Sequence, residues 1–386
     1  MGMSMAIIGS DSIPQAPVLI VGGGISGLAL GIALRRAGRA VDLVELNPTW
    51  TVYGVGIILQ ANGLRALQRL GLSSACIAAS YPYAMSLHHE EDGRPRAARH
   101  KPSLADEGLP ASCGILRPAL HELLRDTALA AGVQVRLGIT VSTIADQPAA
   151  AEVRFSDGSE GVYDLVVGAD GLRSTVRSLC FAQAQAPRFT GQGCWRYTLP
   201  RDAQVQSALM YHGRQARVAG LVPVSQEAMY LLLLSEEPGN PRLADADLPD
   251  LLRERLRHFG GLIPAAAQHI PGPQDIVYRP LETQLVDAPW HRGRVVLAGD
   301  AAHATTPHMA QGASMALEDA VVLTDCLGGS GSLEQALQRY TARRFERCRR
   351  VVEASLQLGE WQMRPEPGSD PLALLRDVAT ELMKPA

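Results

Sequence analysis

The chain has 386 residues, of which 46% are hydrophobic and 19% charged, with a formal net charge of -3. That length suits two or three domains with a large core, and the absence of a basic excess excludes nucleic acid as an expected partner. No apolar run reaches transmembrane length, so no stable membrane association is expected either.

Residues 1–16 have no basic start and too short an apolar stretch for a signal peptide. Met1-Gly2 lacks Ser or Thr at position 6, so the myristoylation pattern fails. The six cysteines show no Cys-x-x-Cys spacing and no paired framework, which reads as reduced thiols in a cytoplasmic protein.

The first element is the apolar run Val18–Val21, of the type expected for a strand buried on both faces. It runs into Gly22-x-Gly24-x-x-Gly27, with Ile25 and Ser26 between the last two glycines. Gly22 suits a tight turn, Gly24 a close approach of backbone to a pyrophosphate, and Gly27 a helix packed tightly on the sheet. Gly38 is placed to end that helix. A second strand, Ala40–Leu46, carries Glu45 about 20 residues beyond the first glycine, where a carboxylate accepts from ribose hydroxyls.

His88-His89 reads as a structural or solvated strand edge, and residues 92–111, rich in Pro, Gly, Arg and charge, read as a mobile excursion. A third strand runs from Asp164 into Gly168-Ala-Asp170-Gly171, with Ser174 a possible helix cap. Arg173 and Arg177, four apart, would brace that loop or lie near a phosphate. Residues 186–275 read as a second domain of strands. Within it, Cys194-Trp195-Arg196-Tyr197 alternates, so Cys194 and Arg196 share one face and Trp195 and Tyr197 the other. Arg196, Tyr211 and His212 are the candidates for binding or activating a substrate: arginine holds a carboxylate or phenolate, and histidine takes a phenolic proton.

Late in the chain, Arg294–Ala298 reads as a buried strand running into Gly299-Asp300, followed by Pro307 and Gln311-Gly312-Ala313. From about Gly312 the spacing predicts a helix whose N-terminus faces an anion. His303 and His308 border the same loop, but their spacing does not make a metal site, and none is expected. Arg343-Arg344-x-x-Arg347-x-Arg349-Arg350 reads as a solvated or salt-bridged helix face. Taken together, the three glycine-acid motifs suggest one FAD wrapped by discontinuous parts of the chain.

On these motifs, over roughly residues 17–350, the chain resembles the single-component FAD-dependent aromatic hydroxylases, class A flavoprotein monooxygenases of the p-hydroxybenzoate hydroxylase type. The resemblance implies an α/β fold with a Rossmann-like FAD-binding domain interleaved with a β-sheet substrate domain, plus C-terminal helices. The expected pieces are 17–80, 112–182 and 276–330 for FAD, 81–111 and 186–275 for substrate, and 333–386 for the helices.

By the same resemblance Glu45 binds the adenosine ribose and Asp300 the ribityl chain. Asp170-Gly171 contributes to FAD and NAD(P)H handling, Arg117 lies near the phosphate and ribityl region, and Gly54-Val55-Gly56-Ile57 lies along the isoalloxazine. Gly299, Pro307, Gln311, Gly312 and Ala313 complete the flavin-side turn. One departure is visible: Ala310 stands where many members have glycine.

The implied reaction uses NADH or NADPH and O2 to hydroxylate a small phenolic or N-heteroaromatic substrate through a flavin hydroperoxide, in a monomer or homodimer. A larger polycyclic natural product or antibiotic is the alternative substrate. An FAD-dependent dehydrogenase or reductase is the alternative activity. A halogenase is disfavoured because no Trp-x-Trp pair and no suitably placed lysine occur.

Overall fold

The computed structural model describes residues 16–215 and 217–386. The leader and myristoylation readings concern residues 1–16, of which 1–15 lie outside the described part.

Val18–Val21 is buried along its whole length. It pairs in parallel with Val41–Glu45 on one side and Leu165–Gly168 on the other. Its six-stranded sheet has the order His291–Arg292, Val295–Leu297, Leu165–Gly168, Val18–Val21, Val41–Glu45, Gln134–Leu137. Val295–Leu297 is parallel to Leu165–Gly168, so three adjacent parallel strands end side by side at Leu297, Gly168 and Val21. The crevice at such carboxyl ends is where open α/β sheets bind ligands. The three motifs that are far apart in sequence therefore meet at one edge.

Helix Ile25–Arg36 packs against helix Gly312–Gly328 beneath that edge. The close fit explains Gly27: a Cβ there would lie 1.9 Å from the Gly22 carbonyl oxygen. Leu28, Leu30, Ile32 and Leu34 are all fully buried in this layer, because the helix is covered on nearly every side.

The second sheet has seven strands in the order Val277–Thr283, Arg188–Pro200, Ala228–Glu236, Val218–Pro223, Ala208–His212, Met85–Glu90, Pro95–His100. Two expectations change here. Val277–Thr283, expected with the FAD-binding piece, is an edge strand of this sheet, paired antiparallel to Arg188–Pro200. The supposed excursion at 92–111 contains the opposite edge strand, Pro95–His100, paired with Met85–Glu90. That strand reads as a loop because one of its faces meets a polar cleft and the other meets solvent, so neither needs apolar side chains. His88 accordingly lies in the interior of the sheet.

One face of the second sheet carries its own core. Trp195, Tyr197, Leu231 and Leu233 pack there with Leu252 and Leu256 of helix Leu248–Leu256 and with Ile263. The alternation read from Cys194 to Tyr197 is observed: Trp195 and Tyr197 face this core, and Cys194 and Arg196 face the opposite way. A small sheet of Gly56–Gln60, Ser112–Leu116 and Tyr81–Tyr83 lies between the two large ones.

The C-terminal part is helical, with Leu333–Met363 opened by a Ser332/Gln335 capping box and followed by Pro371–Leu382. Its arginine run is not uniformly solvated. Arg344 is completely buried and bridges Glu318 and Asp319, and Arg347 also pairs with Glu318.

Candidate active site

A cleft of about 970 Å³ runs between the two sheets. Its upper wall is made by Gly24, Ile25, Ser26, Ala169, Gly171, Asp300 and the segment Pro307–Ala313. Its floor is the free face of the seven-stranded sheet, including Arg196, His212, Tyr230 and Arg99.

The wall formed by the glycine motifs is pre-shaped. Helix Ile25–Arg36 has Gly24 at its N-cap with no side-chain cap and no acidic residue in its first turn, which leaves backbone N–H groups free for an anion. A Cβ on Gly24 would meet no protein atom within 4 Å, so the space over it is open. The Ser26 hydroxyl is buried without a hydrogen-bond partner, although buried polar groups are normally paired.

Glu45 ends the neighbouring strand and accepts from Gly23 N–H at 2.7 Å through one oxygen and from Asn47 N–H at 2.7 Å through the other. These bonds hold the loop that an adenosine ribose would meet. Arg117, at the start of helix Arg117–Ala130, forms no ion pair among the described residues and lies in the field of Asp300. Val55 is buried, and Gly56 lines the cleft directly.

Asp300 opens onto the cleft but is enclosed by protein on its other sides. Burial pushes its carboxyl up, against the pull of His303 and Arg117. Gly299 precedes it with φ +60°, and a Cβ there would lie 2.9 Å from Ser26. Glycine is thus required both by the backbone and by the approach of the first helix. Helix Gly312–Gly328 also lacks a side-chain cap, and its first turn holds no acid. An open anion-binding turn, an orphaned hydroxyl, an unpaired guanidinium and a cleft-facing acid together fit a dinucleotide flavin.

Asp170 stands differently from the expectation. Its carboxylate accepts from Ser174 Oγ at 2.5 Å, Thr175 N at 2.6 Å and Val176 N at 3.1 Å, so it fastens the start of helix Thr175–Cys180. Gly171 and Ala169, not the Asp170 carboxylate, offer surface to the cleft. Arg177 donates to the Ala301 carbonyl at 2.9 Å and thereby ties this turn to the Gly299-Asp300 turn. Arg173 pairs with Glu282 on the second sheet. Both arginines brace protein.

On the floor, Arg196 and His212 face the cleft, but Tyr211 does not. Tyr211 is 2% exposed, lies in the core behind the sheet and accepts from Leu262 N–H at 3.4 Å. Period-two alternation places it on the opposite face from His212, so it is withdrawn as a candidate.

His212 instead has a partner that sequence reasoning missed. His88 Nδ1 lies 2.8 Å from His212 Nε2. Burial, reinforced by neighbouring cations, lowers both imidazoles to about 4. At neutral pH the pair is uncharged, so neither ring is the near-neutral base that the residue type suggested. A negative charge placed beside them would raise both values again.

His303 and His308 do border the flavin-side segment. His303, Asp319 and Cys348 bring three potential metal donors within 4.8 Å of one another. Arg344 Nε lies 2.7 Å from Asp319 and Arg344 Nη2 lies 3.4 Å from Cys348 Sγ, so a fixed guanidinium already supplies the positive charge there.

Residues 15–355 match the family described as FAD binding domain. The chain is 35% identical over 362 residues to aurachin C monooxygenase/isomerase of Stigmatella aurantiaca, covering 89% of this chain and 90% of that protein. It is 33% identical over 357 residues to 2-heptyl-3-hydroxy-4(1H)-quinolone synthase of Pseudomonas aeruginosa, covering 89% and 90%. Among solved structures, HpxO of Klebsiella pneumoniae complexed with FAD and uric acid superimposes with a TM-score of 0.82 at 23% identity, over 96% of this chain and 93% of that one.

The chain belongs to the FAD-dependent aromatic monooxygenases. Its FAD-binding domain and α/β fold follow the family. Among the described residues no helix is long and apolar enough to cross a membrane.

Proposed function

We propose that this monooxygenase hydroxylates a small phenolic or N-heteroaromatic ring, with NADH or NADPH as reductant. Two electrons come from the nicotinamide, one atom of O2 enters the ring, and the other leaves as water. FAD supplies the activation of oxygen, which an aromatic ring cannot achieve with ground-state O2 alone. The observation that carries this reading is the continuity of the cleft from the motif ends at Gly24 and Asp300 to the sheet floor at Arg196 and His212.

On this reading each residue has a role. The first-helix N-terminus and Ser26 hold the pyrophosphate, Glu45 the adenosine ribose, and Asp300 the ribityl chain. Arg117 neutralises phosphate at the same wall. Arg196 has no carboxylate partner among the described residues and is available to stabilise a ring oxygen as its anion, which raises ring electron density. The neutral His88–His212 pair is placed to accept a hydrogen bond from a substrate hydroxyl. The apolar floor, with Leu232, Leu234 and Met210, excludes water from the reacting face.

The test is to follow NAD(P)H oxidation by the purified yellow protein with a panel of phenols, quinolones and hydroxypyridines under 18O2. A product heavier by one labelled oxygen supports the reading. Reduction of the flavin with no oxygen in any product overturns it in favour of a dehydrogenase.

A further inference from the structure

The far end of the cleft holds positive charge that the protein itself does not neutralise. Arg99 lies on the edge strand Pro95–His100, and Lys101 follows two residues later, where Lys101 N–H still donates to the Ala84 carbonyl at 2.8 Å. The two-residue spacing turns both side chains to the cleft. Lys101 is only 9% exposed. Its Nζ donates to Gln60 Oε1 at 3.3 Å and stands 5.6 Å from the centre of the Tyr83 ring. Arg99 Nε is buried with no hydrogen-bond partner.

Among the described residues no carboxylate pairs with either cation. The acids that line the cleft are used elsewhere: Glu282 by Arg173, Asp300 beside Arg117, and Asp370 in capping helix Pro371–Leu382. Burial, followed by the neighbouring Arg99, depresses Lys101 to about 7, and burial depresses Arg99 as well. Two adjacent like charges taken out of water without a counter-ion are costly, and the arrangement is relieved either by loss of the lysine proton or by the arrival of an anion that keeps it charged.

We propose that Arg99 and Lys101 form a carboxylate-binding subsite that selects an aromatic acid as the substrate of this enzyme. The inference rests on the hydroxylase reading above and deepens it by naming the substrate's charge. A planar guanidinium fork beside an ammonium matches the two oxygens of a carboxylate.

The position relative to the flavin wall is also fixed. Gln60, which takes the Lys101 ammonium, donates through Nε2 to the Met309 carbonyl at 3.5 Å, and its N–H donates to Ser314 Oγ at 3.3 Å. The anchored acid is therefore held against the Pro307–Gly312 segment. Arg99 and Lys101 act as specificity residues and are distinct from Arg196, which lies on a strand nearer the opposite edge of the sheet.

The experiment measures equilibrium binding to the FAD-loaded protein for two matched pairs: benzoate against benzamide, and 4-hydroxyquinoline-2-carboxylate against its carboxamide. Charge-assisted hydrogen bonds of this kind correspond to roughly ten- to hundredfold in affinity. The acid of at least one pair is expected to bind tighter than its amide by that factor. Arg99→Gln and Lys101→Met should each abolish the preference while shifting amide affinity less than about twofold.

Lys101→Met should also leave the melting temperature unchanged or raise it, because it removes an unneutralised buried charge; a purely structural lysine would give the opposite result. Equal affinity within both pairs, or no binding of any probe at tens of millimolar, overturns the subsite. A rise in the KM for NADPH in Arg99→Gln with the acid preference intact also overturns it. Failure of the hydroxylase reading is separate and visible as an absence of oxygen insertion into any bound aromatic.

Discussion

His303 Nε2 lies 2.6 Å from Asp319 Oδ2, with both side chains buried. The same carboxylate accepts from Gly299 N–H at 2.8 Å and from Arg344 Nε at 2.7 Å. One acid on helix Gly312–Gly328 thus fixes the backbone turn that presents Asp300. Burial pushes the Asp319 carboxyl up, but His303 and Arg344 overcome this and hold it at about 2. His303 is raised well above its usual value by Cys348 and Asp319, against the effect of burial.

Asp319→Ala leaves the buried His303 without its acid and Arg344 with Glu318 as its remaining carboxylate, a loss of about 3–5 kcal/mol. We expect a large drop in melting temperature and in bound FAD, read by calorimetry and by the visible absorbance of the purified variant. Retention of a full complement of FAD would show that the turn does not depend on this acid. The pH sign follows from the shifts. The Asp319 contribution is present above 3.8 and is lost as pH falls through about 2. The His303 contribution is complete below 6.5 and is lost only as pH rises through its elevated folded value.

Two glycines of one motif should behave oppositely. Gly24→Ala projects a methyl into open space, so fold stability should stay within about 1 kcal/mol while FAD affinity falls through obstruction of the pyrophosphate. Gly27→Ala collides with the Gly22 carbonyl and should destabilise the apoprotein itself. Denaturant unfolding of the apoproteins, alongside FAD titration, separates the two. Equal stability losses would contradict the geometry.

Ala310 occupies a left-handed conformation, φ 51° and ψ 41°, at the position where glycine was noted as usual in the family. A non-glycine residue there costs roughly 1–2 kcal/mol. Ala310→Gly should therefore raise the melting temperature by a few degrees, and a fall would mean that the methyl makes a compensating contact.

His212→Asn should lower the hydroxylation rate constant by on the order of 10²-fold with unchanged FAD content. Tyr211→Phe should leave it within about twofold, since its hydroxyl sits behind the sheet on Leu262. Steady-state kinetics on the best substrate decide, and equal losses would restore Tyr211 to the site.

Binding of an aromatic acid should weaken as pH rises through about 7, where Lys101 of the ligand-free protein loses its proton. The affinity profile in Lys101→Met should be flat across that range. A wild-type profile that is itself flat from pH 6 to about 8 would remove Lys101 from the anion's contacts.

The glycine-acid motifs were legible because each joins a buried strand to a helix start, and local chemistry dictates both. The alternation at Cys194–Tyr197 was legible for the same local reason, since a strand turns successive side chains to opposite faces. What failed was assignment of a face. Tyr211 and His212 are neighbours, and nothing local says which one meets the cleft. Pro95–His100 was misread because a strand lining a polar cavity lacks the apolar pattern of one packed on a core. His88 could be found only once its strand was paired with Ala208–His212.

By itself the sequence determined the cofactor class and the wall that holds it, because turns, caps and tight helix packing are enforced within a few residues. Only the tertiary structure decided the substrate side. The charge state of Lys101, the pairing of His88 with His212 and the burial of Arg344 all arise from groups brought together across long stretches of chain, where removal from water sets the energetics and no local spacing records it.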